Sequence, residues 1–271
     1  MKKYRCNLCK FEISEDDYKD MAYVCPKCGT SRFSFSEVVD LDEPIKYVYV
    51  SENNLSIRRT IETCINCGMC KKTCNSKLGL NKDGDVHLCV GCGRCVMTCP
   101  TGSLTPKYDY MSVLESIRDE SKCVVCFYAP AVRTSLGECF GFDFGENVEG
   151  KMVSAFRALG FDYVLDTTFG ADMTIMEEAR EAIDRKLKGG VMPMFTSCCP
   201  AWVKYVHSKR PEFIPNLSTT KSPNAIMGVL VKSYFAREKG LDSKSIVTVG
   251  IVPCTSKKME ARREELVNDG L

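Results

Sequence analysis

Cysteine is the residue type whose number and spacing in this chain point to chemistry. The 271 residues contain 18 cysteines and two histidines, and the sequence opens without the apolar core of a signal peptide. We therefore expect a cytoplasmic chain whose cysteines hold metal instead of forming disulfides. Because imidazoles are so few, thiolates must supply nearly all of the ligands, and thiolate sites select zinc or iron–sulfur centres.

Two adjacent cysteines, Cys198 and Cys199, form the most informative pair. Neighbouring cysteines do not readily bond to each other, so a structural disulfide explains them poorly. A further isolated cysteine, Cys254, follows Val252 and Pro253. Each of these segments comes after an apolar run that we interpret as a strand. If both strands belong to one sheet, loops at a single edge bring the three cysteines together around one cofactor.

Residues 1–46 contain two Cys-x2-Cys pairs, which predict a small metal-bound β module. The four thiolates of one tetrahedral site would be Cys6, Cys9, Cys25 and Cys28. The pattern, with Tyr4 before the first pair, resembles rubredoxin, but a zinc ribbon uses the same spacing. A mononuclear iron and a zinc ion both remain open, and iron is favoured because the rest of the chain is suited to electron transfer. So small a module should need its metal to fold.

Residues 57–106 contain an internal repeat in which four cysteines are spaced as Cys-x2-Cys-x2-Cys-x3-Cys. This spacing is typical of bacterial ferredoxins with two [4Fe–4S] clusters and predicts an α+β domain. In that pattern the fourth cysteine of each run reaches the cluster of the other run. We therefore predict one cluster on Cys64, Cys67, Cys70 and Cys99, and another on Cys89, Cys92, Cys95 and Cys74.

Residues 107–271 alternate between apolar strands and helices. Such alternation predicts an α/β domain with a largely parallel sheet, in which ligands bind beyond the carboxyl ends of the strands. The predicted strands are residues 122–128, 163–166, 191–195 and 246–252, and the predicted helices are 150–159 and 173–188. Upstream, residues 41–56 are predicted to form a linker, a short strand at 47–50 and a turn.

Several segments of residues 57–271 resemble the iron-only ([FeFe]) hydrogenases. Residues 196–202 and 252–260 resemble the first two signature motifs of that family, and residues 129–138 and 161–172 extend the match. The third signature, a glycine-rich segment with two more cysteines, is absent from the sequence. The resemblance therefore implies the N-terminal part of a hydrogenase catalytic domain, which is incomplete in this chain.

The resemblance also implies an active centre, the H-cluster. In it a [4Fe–4S] cubane is joined to a two-iron unit that carries carbon monoxide, cyanide and an azadithiolate bridge. Cys199 and Cys254 would be ligands of the cubane, and Cys198 would be the thiol that passes protons to the bridging amine. The residues around the two cyanides would be Lys257, which donates a hydrogen bond to one, and Ala129 and Pro130, which line the pocket of the other.

A proton route follows from the same resemblance. Glu178, Glu181 and Arg185 are spaced to share one face of a helix, which by itself indicates an exposed ion-pair face. Together with Ser218 they match the family's relay from the surface to Cys198. We expect a buried carboxylate in this relay to have a raised pKa, which would let it hand on protons.

The function implied is reversible hydrogen conversion, 2H⁺ + 2e⁻ ⇌ H₂, by a fragment or one part of a split hydrogenase with [4Fe–4S] clusters. The alternative is a non-catalytic iron–sulfur electron-transfer or sensory subunit related to hydrogenases. Expected partners are a redox carrier such as ferredoxin, the hydrogenase maturation enzymes and, in a split enzyme, a second subunit with the missing motif. A net charge of +2 gives no sign of nucleic-acid binding. No apolar run approaches the roughly 18 residues of a membrane span.

Overall fold

The computed structural model describes residues 3–6, 8–21, 24–29, 32, 35–38, 47–80 and 88–263. Contacts divide the chain into two compact units. The first contains residues 1–107, 199–217 and 254–265, and the second contains residues 108–198, 218–253 and 266–271. Each unit is built on its own sheets.

Strands and helices alternate along the chain. The strands are β1 (Lys3–Cys6), β2 (Glu12–Ser14), β3 (Phe35–Val38), β4 (Ile57–Arg59), β5 (Leu104–Pro106), β6 (Cys123–Tyr128), β7 (Tyr163–Asp166) and β8 (Ile246–Ile251). The helices are α1 (Glu15–Asp20), α2 (Met69–Leu78), α3 (Arg94–Met97), α4 (Tyr110–Arg118), α5 (Val132–Ser135), α6 (Glu149–Ala158), α7 (Thr168–Lys188), α8 (Pro200–Lys209), α9 (Pro223–Leu230), α10 (Ala236–Lys239) and α11 (Ser256–Glu260). Shorter helical turns occupy Leu136–Phe140, Pro211–Asn216 and Val231–Phe235.

In the first unit, the N-terminal residues form a three-stranded antiparallel sheet in the order β2-β1-β3. Helix α1 follows β2 directly, and the Ser14 side chain caps it by accepting the Asp17 N–H at 3.1 Å. Among the described residues of this module, Cys6, Cys25 and Phe35 are buried together.

Residues 47–106 form the second part of the first unit, where β4 pairs antiparallel with β5. Helices α2 and α3 each begin directly after a glycine with a left-handed backbone, Gly68 at φ 75° and Gly93 at φ 73°. Glycine adopts this conformation without steric cost. The turn it allows brings Cys70 and Cys95 into the first turn of their helices. The core of this part includes Ile57, Leu80, Leu88, Val90 and Leu104.

The strand predicted at residues 47–50 is wrong, and in the structure none of these four residues lies in a strand. The Val48 N–H instead donates to the Cys70 Sγ at 3.2 Å. The Val48 side chain packs in the core of residues 47–106. The apolar run therefore reflects burial beside a cysteine site and not strand pairing. The linker predicted at residues 41–46 lies outside the described residues.

Two helices from the C-terminal half complete the first unit. Helix α8 begins at Pro200, directly after Cys199, and its residues Ala201 and Tyr205 pack against the core of residues 47–106. Helix α11 begins two residues after Cys254 and packs on α8. The two cysteines that we expect to share a cubane thus precede two helices that touch each other.

The second unit contains a three-stranded parallel sheet in the order β7-β6-β8. Its middle strand, β6, is apolar along its whole length because helices cover both faces. One face packs against α6, and the other packs against α9. The predicted α/β architecture with parallel strands is confirmed for this part of the chain.

Most predicted elements of the second unit match β6, β7, β8 and α6, while α7 begins at Thr168, five residues before its predicted start. The strand predicted at residues 191–195 is wrong, since only Phe195 makes a bridging pair. Pro193 has no N–H to donate to a ladder, which prevents regular pairing there. Among the helices of the described residues, none has both the length and the apolar character needed to cross a membrane.

Candidate functional site

Four thiols meet in the N-terminal module. The Sγ atoms of Cys6, Cys9, Cys25 and Cys28 all lie within 4.8 Å of one another. The Cys6–Cys28 sulfurs are 3.8 Å apart and the Cys9–Cys25 sulfurs are 3.7 Å apart. A metal ion with four thiolates at about 2.3 Å places them at the corners of a tetrahedron whose edges measure about 3.8 Å. The four thiols therefore fit a single metal ion.

A second set of thiols lines a small cavity beside β4 and β5. Its four cysteines are Cys64, Cys67, Cys70 and Cys99. Three belong to the first cysteine run and the fourth to the second run, which is the grouping expected when the fourth ligand is exchanged. Two N–H groups donate to these sulfurs: that of Val48 to Cys70 at 3.2 Å, and the Arg59 Nη2 to Cys64 at 3.2 Å.

The remaining thiols of this region gather around Cys95. Burial, followed by the like charges of Cys89, Cys92, Cys74 and Cys70, raises the pKa of the Cys95 thiol to about 12. Cys89, Cys92 and Cys95 come from the second run and Cys74 from the first. Like the first set, these thiols combine three cysteines of one run with the fourth of the other. Thiolate groups of this kind are the ligands of iron–sulfur clusters.

The loop that carries this second ferredoxin-like thiol set is bonded to the start of α11. The Thr255 hydroxyl donates to the Gly91 carbonyl at 2.5 Å. The Ser256 hydroxyl donates to the Val90 carbonyl at 2.9 Å. Because both hydroxyls directly follow Cys254, this cysteine lies next to the loop between Cys89 and Cys92.

Two charged residues of the first unit escaped the sequence analysis. Arg59 lies 3.2 Å above the Tyr47 ring while donating to Cys64. Glu260 accepts the Lys257 ammonium at 2.7 Å, and the two side chains are only 6% and 15% exposed. The Lys257–Glu260 ion pair could have been predicted from the sequence, because the two residues are three apart on a helix. For Arg59 the sequence offers no such signal.

In the second unit, the carboxylate of Glu181 is held by three neighbours. Arg185 donates to its Oε1 from Nη2 at 2.6 Å and from Nε at 3.0 Å. The Ser218 hydroxyl donates to its Oε2 at 2.8 Å, and the Thr219 N–H donates at 3.0 Å. The structure therefore brings together three of the four residues predicted for the proton relay, with both carboxylate oxygens bonded.

The raised pKa expected for a relay carboxylate is wrong for Glu181. Burial favours the protonated form, but hydrogen bonds from Ser218, Arg185 and Thr219 outweigh it and lower the pKa of Glu181. Glu178 lies one turn earlier on α7. Its Oε1 is buried without a hydrogen-bond partner among the described residues. A buried carboxylate oxygen in this position is suited to accept a hydrogen bond from an ordered water.

The loop that leads to Cys198 is braced against the segment that carries Ser218. The Ser197 hydroxyl donates to the carbonyls of Ser218 at 2.8 Å and Thr220 at 3.0 Å. The Ser218 N–H donates to the Phe195 carbonyl at 2.7 Å. These bonds fix the backbone on which both Cys198 and the Glu181 network depend. The Cys198 side chain is exposed.

Ala129 and Pro130 lie at the carboxyl edge of the parallel sheet. The Ala129 N–H donates to the carbonyl of Ile251, the last residue of β8, at 3.0 Å. Below this turn, Arg133 donates to the Asp166 carboxylate at 3.0 Å. The edge where ligands bind in such sheets thus carries the two residues predicted to line a cofactor pocket.

Comparison with known proteins decides the family. The sequence profile described as "Iron only hydrogenase large subunit, C-terminal domain" matches residues 122–270, more than half of the chain. The chain belongs to the iron-only hydrogenase large-subunit family. A 4Fe-4S binding domain profile matches residues 85–105 of this hydrogenase-family chain.

Curated relatives share a large part of the hydrogenase-family chain. Iron hydrogenase 1 of Clostridium pasteurianum is 43% identical in an alignment of 244 residues that covers 83% of this chain and 42% of the relative. The NADP-reducing hydrogenase subunit HndD of Solidesulfovibrio fructosivorans is 37% identical over 96% of this chain and 49% of its own length. The chain therefore spans about half the length of these two relatives.

Two further comparisons concern the structure and a different kind of relative. The apo [FeFe]-hydrogenase HydA1 from Chlamydomonas reinhardtii superposes with a TM-score of 0.55 at 39% identity, covering 59% of this chain and 41% of that one. A cytosolic Fe-S cluster assembly factor, narfl, from Danio rerio is 39% identical over 54% of this chain and 36% of its own length. The chain is thus also similar to a protein that is named for cluster assembly.

Proposed function

We propose that this chain is part of an iron-only hydrogenase that interconverts protons, electrons and H₂. The observation that carries the proposal is the Glu181 network, in which a carboxylate and a serine hydroxyl are bonded to the segment that braces Cys198. Electron transfer alone requires thiol sites but no acid–hydroxyl pair bonded to the segment next to a further cysteine. Proton transfer requires such a pair.

Cys199 and Cys254 would hold the cubane of the active centre, with Cys198 as the thiol beside the two-iron unit. When bound, this centre supplies the redox chemistry of hydrogen conversion. The donor chemistry fits, because thiolates ligate iron–sulfur cubanes and both cysteines are exposed at the starts of α8 and α11. The residues that would line this pocket or bond its cyanides are Ala129, Pro130 and Lys257. Further thiolates would come from a longer chain or a second subunit.

Electrons would reach this centre through the two ferredoxin-like thiol sets. The set around Cys95 is the one next to Cys254, because Thr255 and Ser256 bond to the loop that carries it. We therefore assign the cluster on Cys89, Cys92, Cys95 and Cys74 to the step nearest the active centre. The cluster on Cys64, Cys67, Cys70 and Cys99 would exchange electrons with a redox carrier such as a ferredoxin.

Protons would move toward Cys198 along the Glu181 network. Because its pKa is lowered, Glu181 is a carboxylate at neutral pH and would hold a proton only transiently, which makes it a less efficient relay than a group whose pKa lies near the operating pH. Arg185 holds the carboxylate in place while Ser218 bonds to its other oxygen. The buried Oε1 of Glu178 would accept a hydrogen bond from a water that continues the route toward the surface.

The N-terminal module would add a mononuclear centre on Cys6, Cys9, Cys25 and Cys28. The sulfur separations of 3.7 and 3.8 Å support one tetrahedral ion and are too short for thiolates spread around a cubane. We propose iron in this site, since the remaining thiol sets are suited to electron transfer. A zinc ion has the same geometry, so metal analysis decides between them.

The hydrogenase proposal is tested by hydrogen evolution from reduced viologen. The chain is matured with the hydrogenase maturation enzymes, alone and together with the C-terminal half of Iron hydrogenase 1 as a separate polypeptide. Infrared bands of metal-bound carbon monoxide and cyanide report assembly of the active centre. We expect bands and activity in the combined sample, and loss of activity with retention of the bands in Cys198→Ser. The matched control is Cys139→Ser, a change at another exposed cysteine, which should leave both unchanged.

A second candidate is a non-catalytic iron–sulfur protein, which the likeness to a cluster assembly factor favours. That function requires the thiol sets but neither Cys198 nor the Glu181 network. Iron–sulfur clusters without infrared bands or hydrogen evolution in either sample would support it against the hydrogenase proposal. Bands with activity that depends on Cys198 would exclude it.

A further inference from the structure

Arg59 occupies an unusual position beside the first ferredoxin-like thiol set. Its guanidinium carbon lies 3.2 Å from the centroid of the Tyr47 ring. From this position the Nη2 donates a hydrogen bond to the Cys64 Sγ at 3.2 Å. Both Arg59 and Tyr47 line the same cavity as the four cysteines. A fixed positive charge therefore faces the sulfur of a predicted cluster ligand.

The position of Arg59 is prepared by two separate segments of the chain. Strand β4 alternates its side chains, so Arg59 faces inward while the preceding Arg58 is exposed. The segment at residues 47–48 supplies the ring beneath the guanidinium and the Val48 N–H that donates to Cys70. A planar guanidinium can stack on the ring and donate from its edge at the same time, whereas a lysine ammonium cannot.

We propose that Arg59 sets the reduction potential of the cluster on Cys64, Cys67, Cys70 and Cys99, by donating a charge-assisted hydrogen bond to the Cys64 sulfur. The inference deepens the proposed function, since it assumes that these thiols hold a [4Fe–4S] cluster. One-electron reduction of such a cluster adds one negative charge and breaks no bond. A cation bonded to a ligand sulfur stabilises the reduced form more than the oxidised form, so Arg59 raises the potential.

The test is a redox titration of the full chain with dithionite as the reductant, monitored by electron paramagnetic resonance. The wild type should show two reduction steps from the ferredoxin-like clusters, apart from any step of a mononuclear iron in the N-terminal module. Cys67→Ser, at an exposed cysteine of the first set, identifies the step of that cluster. In Arg59→Gln we expect the reduced-to-oxidised ratio of this cluster at a fixed potential to fall about tenfold, which is about 59 mV for a one-electron couple. The step of the other cluster should not move.

Three further variants separate the hydrogen bond from charge alone. Arg58→Gln removes the same charge from the exposed side of β4 and should change the ratio less than about twofold, because solvent screens that charge. Arg59→Lys keeps the charge but not the planar guanidinium with its several N–H donors. Its reduction potential should lie between those of the wild type and Arg59→Gln. Tyr47→Leu removes the ring that fixes the guanidinium, and should shift the same step in the same direction. Iron and acid-labile sulfide contents are measured in every variant.

The outcomes distinguish this inference from the proposed function. A wild-type chain without two clusters' worth of iron and sulfide would overturn the ferredoxin assignment itself. With both clusters present, an unshifted step in Arg59→Gln, equal shifts of both steps, or an equal effect of Arg58→Gln would overturn the role of Arg59. If Arg59→Gln does not hold its cluster, Arg59→Lys and Tyr47→Leu decide, and the absence of a selective shift in both contradicts the inference.

Discussion

At the scale of single residues, the sequence predicted which side chains share a face but not the electrostatic state of each. The spacing of Glu181 and Arg185 was sufficient to place them together on α7. The lowered pKa of Glu181 also depends on Ser218 and Thr219, which are separated from it by a long stretch of chain. A helical spacing carries no information about such distant donors. The sign of the pKa shift therefore required the fold.

Replacing Ser218 by alanine should destabilise the second unit in a pH-dependent manner. The Glu181 network contributes stability that is present above the ordinary carboxyl pKa of 4.5 and is lost as the pH falls through the lower folded pKa. We expect Ser218→Ala to cost about 1.5–3 kcal/mol at pH 7, as for a hydrogen bond to a charged group, and less once Glu181 is protonated. Urea unfolding of the apo chain, followed by circular dichroism at pH 7 and at pH values below 4.5, measures both.

The control for this change is Ser154→Ala. Ser154 is an exposed residue of α6 whose hydroxyl donates to a helix carbonyl at 2.9 Å. It has no carboxylate to bond, so its replacement should have a small effect that does not vary with pH. A deficit in Ser218→Ala that stays constant between pH 7 and acidic pH would show that Glu181 is not linked to Ser218.

Glu260 provides a second test at the residue scale, because it holds Lys257 within the second cysteine motif. The pair is largely buried, so loss of the carboxylate leaves the ammonium without its 2.7 Å acceptor. We expect Glu260→Gln to destabilise the first unit by about 1–3 kcal/mol. In a double-mutant cycle with Lys257→Met, the double variant should lose less stability than the sum of the losses in the two single variants. Additive effects in that cycle would argue against a functional pairing of the two side chains.

At the scale of elements, apolar runs predicted the parallel strands but not the segments beside the cysteine sites. Strands β6, β7 and β8 were predictable because burial between helix layers leaves a continuous apolar run. Residues 47–50 and 191–195 have similar composition, yet their backbone groups bond elsewhere. In the first case the Val48 N–H donates to a cysteine sulfur, and in the second the Phe195 carbonyl accepts the Ser218 N–H. Composition alone does not distinguish these pairings from a sheet ladder.

Glycine makes possible the contact between the start of α11 and the loop that carries Cys89, Cys92 and Cys95. A Cβ at Gly93 would lie 2.8 Å from the Thr255 Oγ1, and its φ of 73° is unfavourable for alanine. We expect Gly93→Ala to lower the free energy of unfolding by about 1–2 kcal/mol from backbone strain and by about 1–3 kcal/mol more from overpacking. Urea unfolding measures the total.

Gly79→Ala is the matched control for this substitution. Gly79 has a φ of 61°, but a Cβ there would meet nothing within 4 Å. It should therefore show the backbone strain without the overpacking. Equal losses of stability in Gly93→Ala and Gly79→Ala would contradict close packing of Thr255 against Gly93.

At the scale of the whole molecule, the thiol sets and the proton network belong to different parts of the chain. The first unit holds the N-terminal thiols, both ferredoxin-like sets, Cys199 and Cys254. The second unit holds Cys198 and the Glu181 network. Cysteine spacing predicted the thiol sets of the first unit, because iron–sulfur clusters need ligands at fixed short intervals. The Glu181 network of the second unit was predicted only from the resemblance to a family, since neither a lone serine nor a glutamate on a helix face indicates a proton relay by itself.

The metal of the N-terminal module should be removable without loss of the ferredoxin-like clusters. Because a module as short as residues 1–46 rarely folds on apolar burial alone, its folding should depend on the ion held by Cys6, Cys9, Cys25 and Cys28. We expect Cys9→Ser to remove one metal ion per chain and expose residues 1–46 to limited proteolysis, while the iron and sulfide of the ferredoxin-like clusters remain. Metal analysis, with the visible absorption of ferric thiolate in the wild type, identifies iron or zinc. A variant that keeps the full metal content and protease resistance would refute a tetrathiolate site, and simultaneous loss of the ferredoxin-like clusters would show that the module does not fold independently of them.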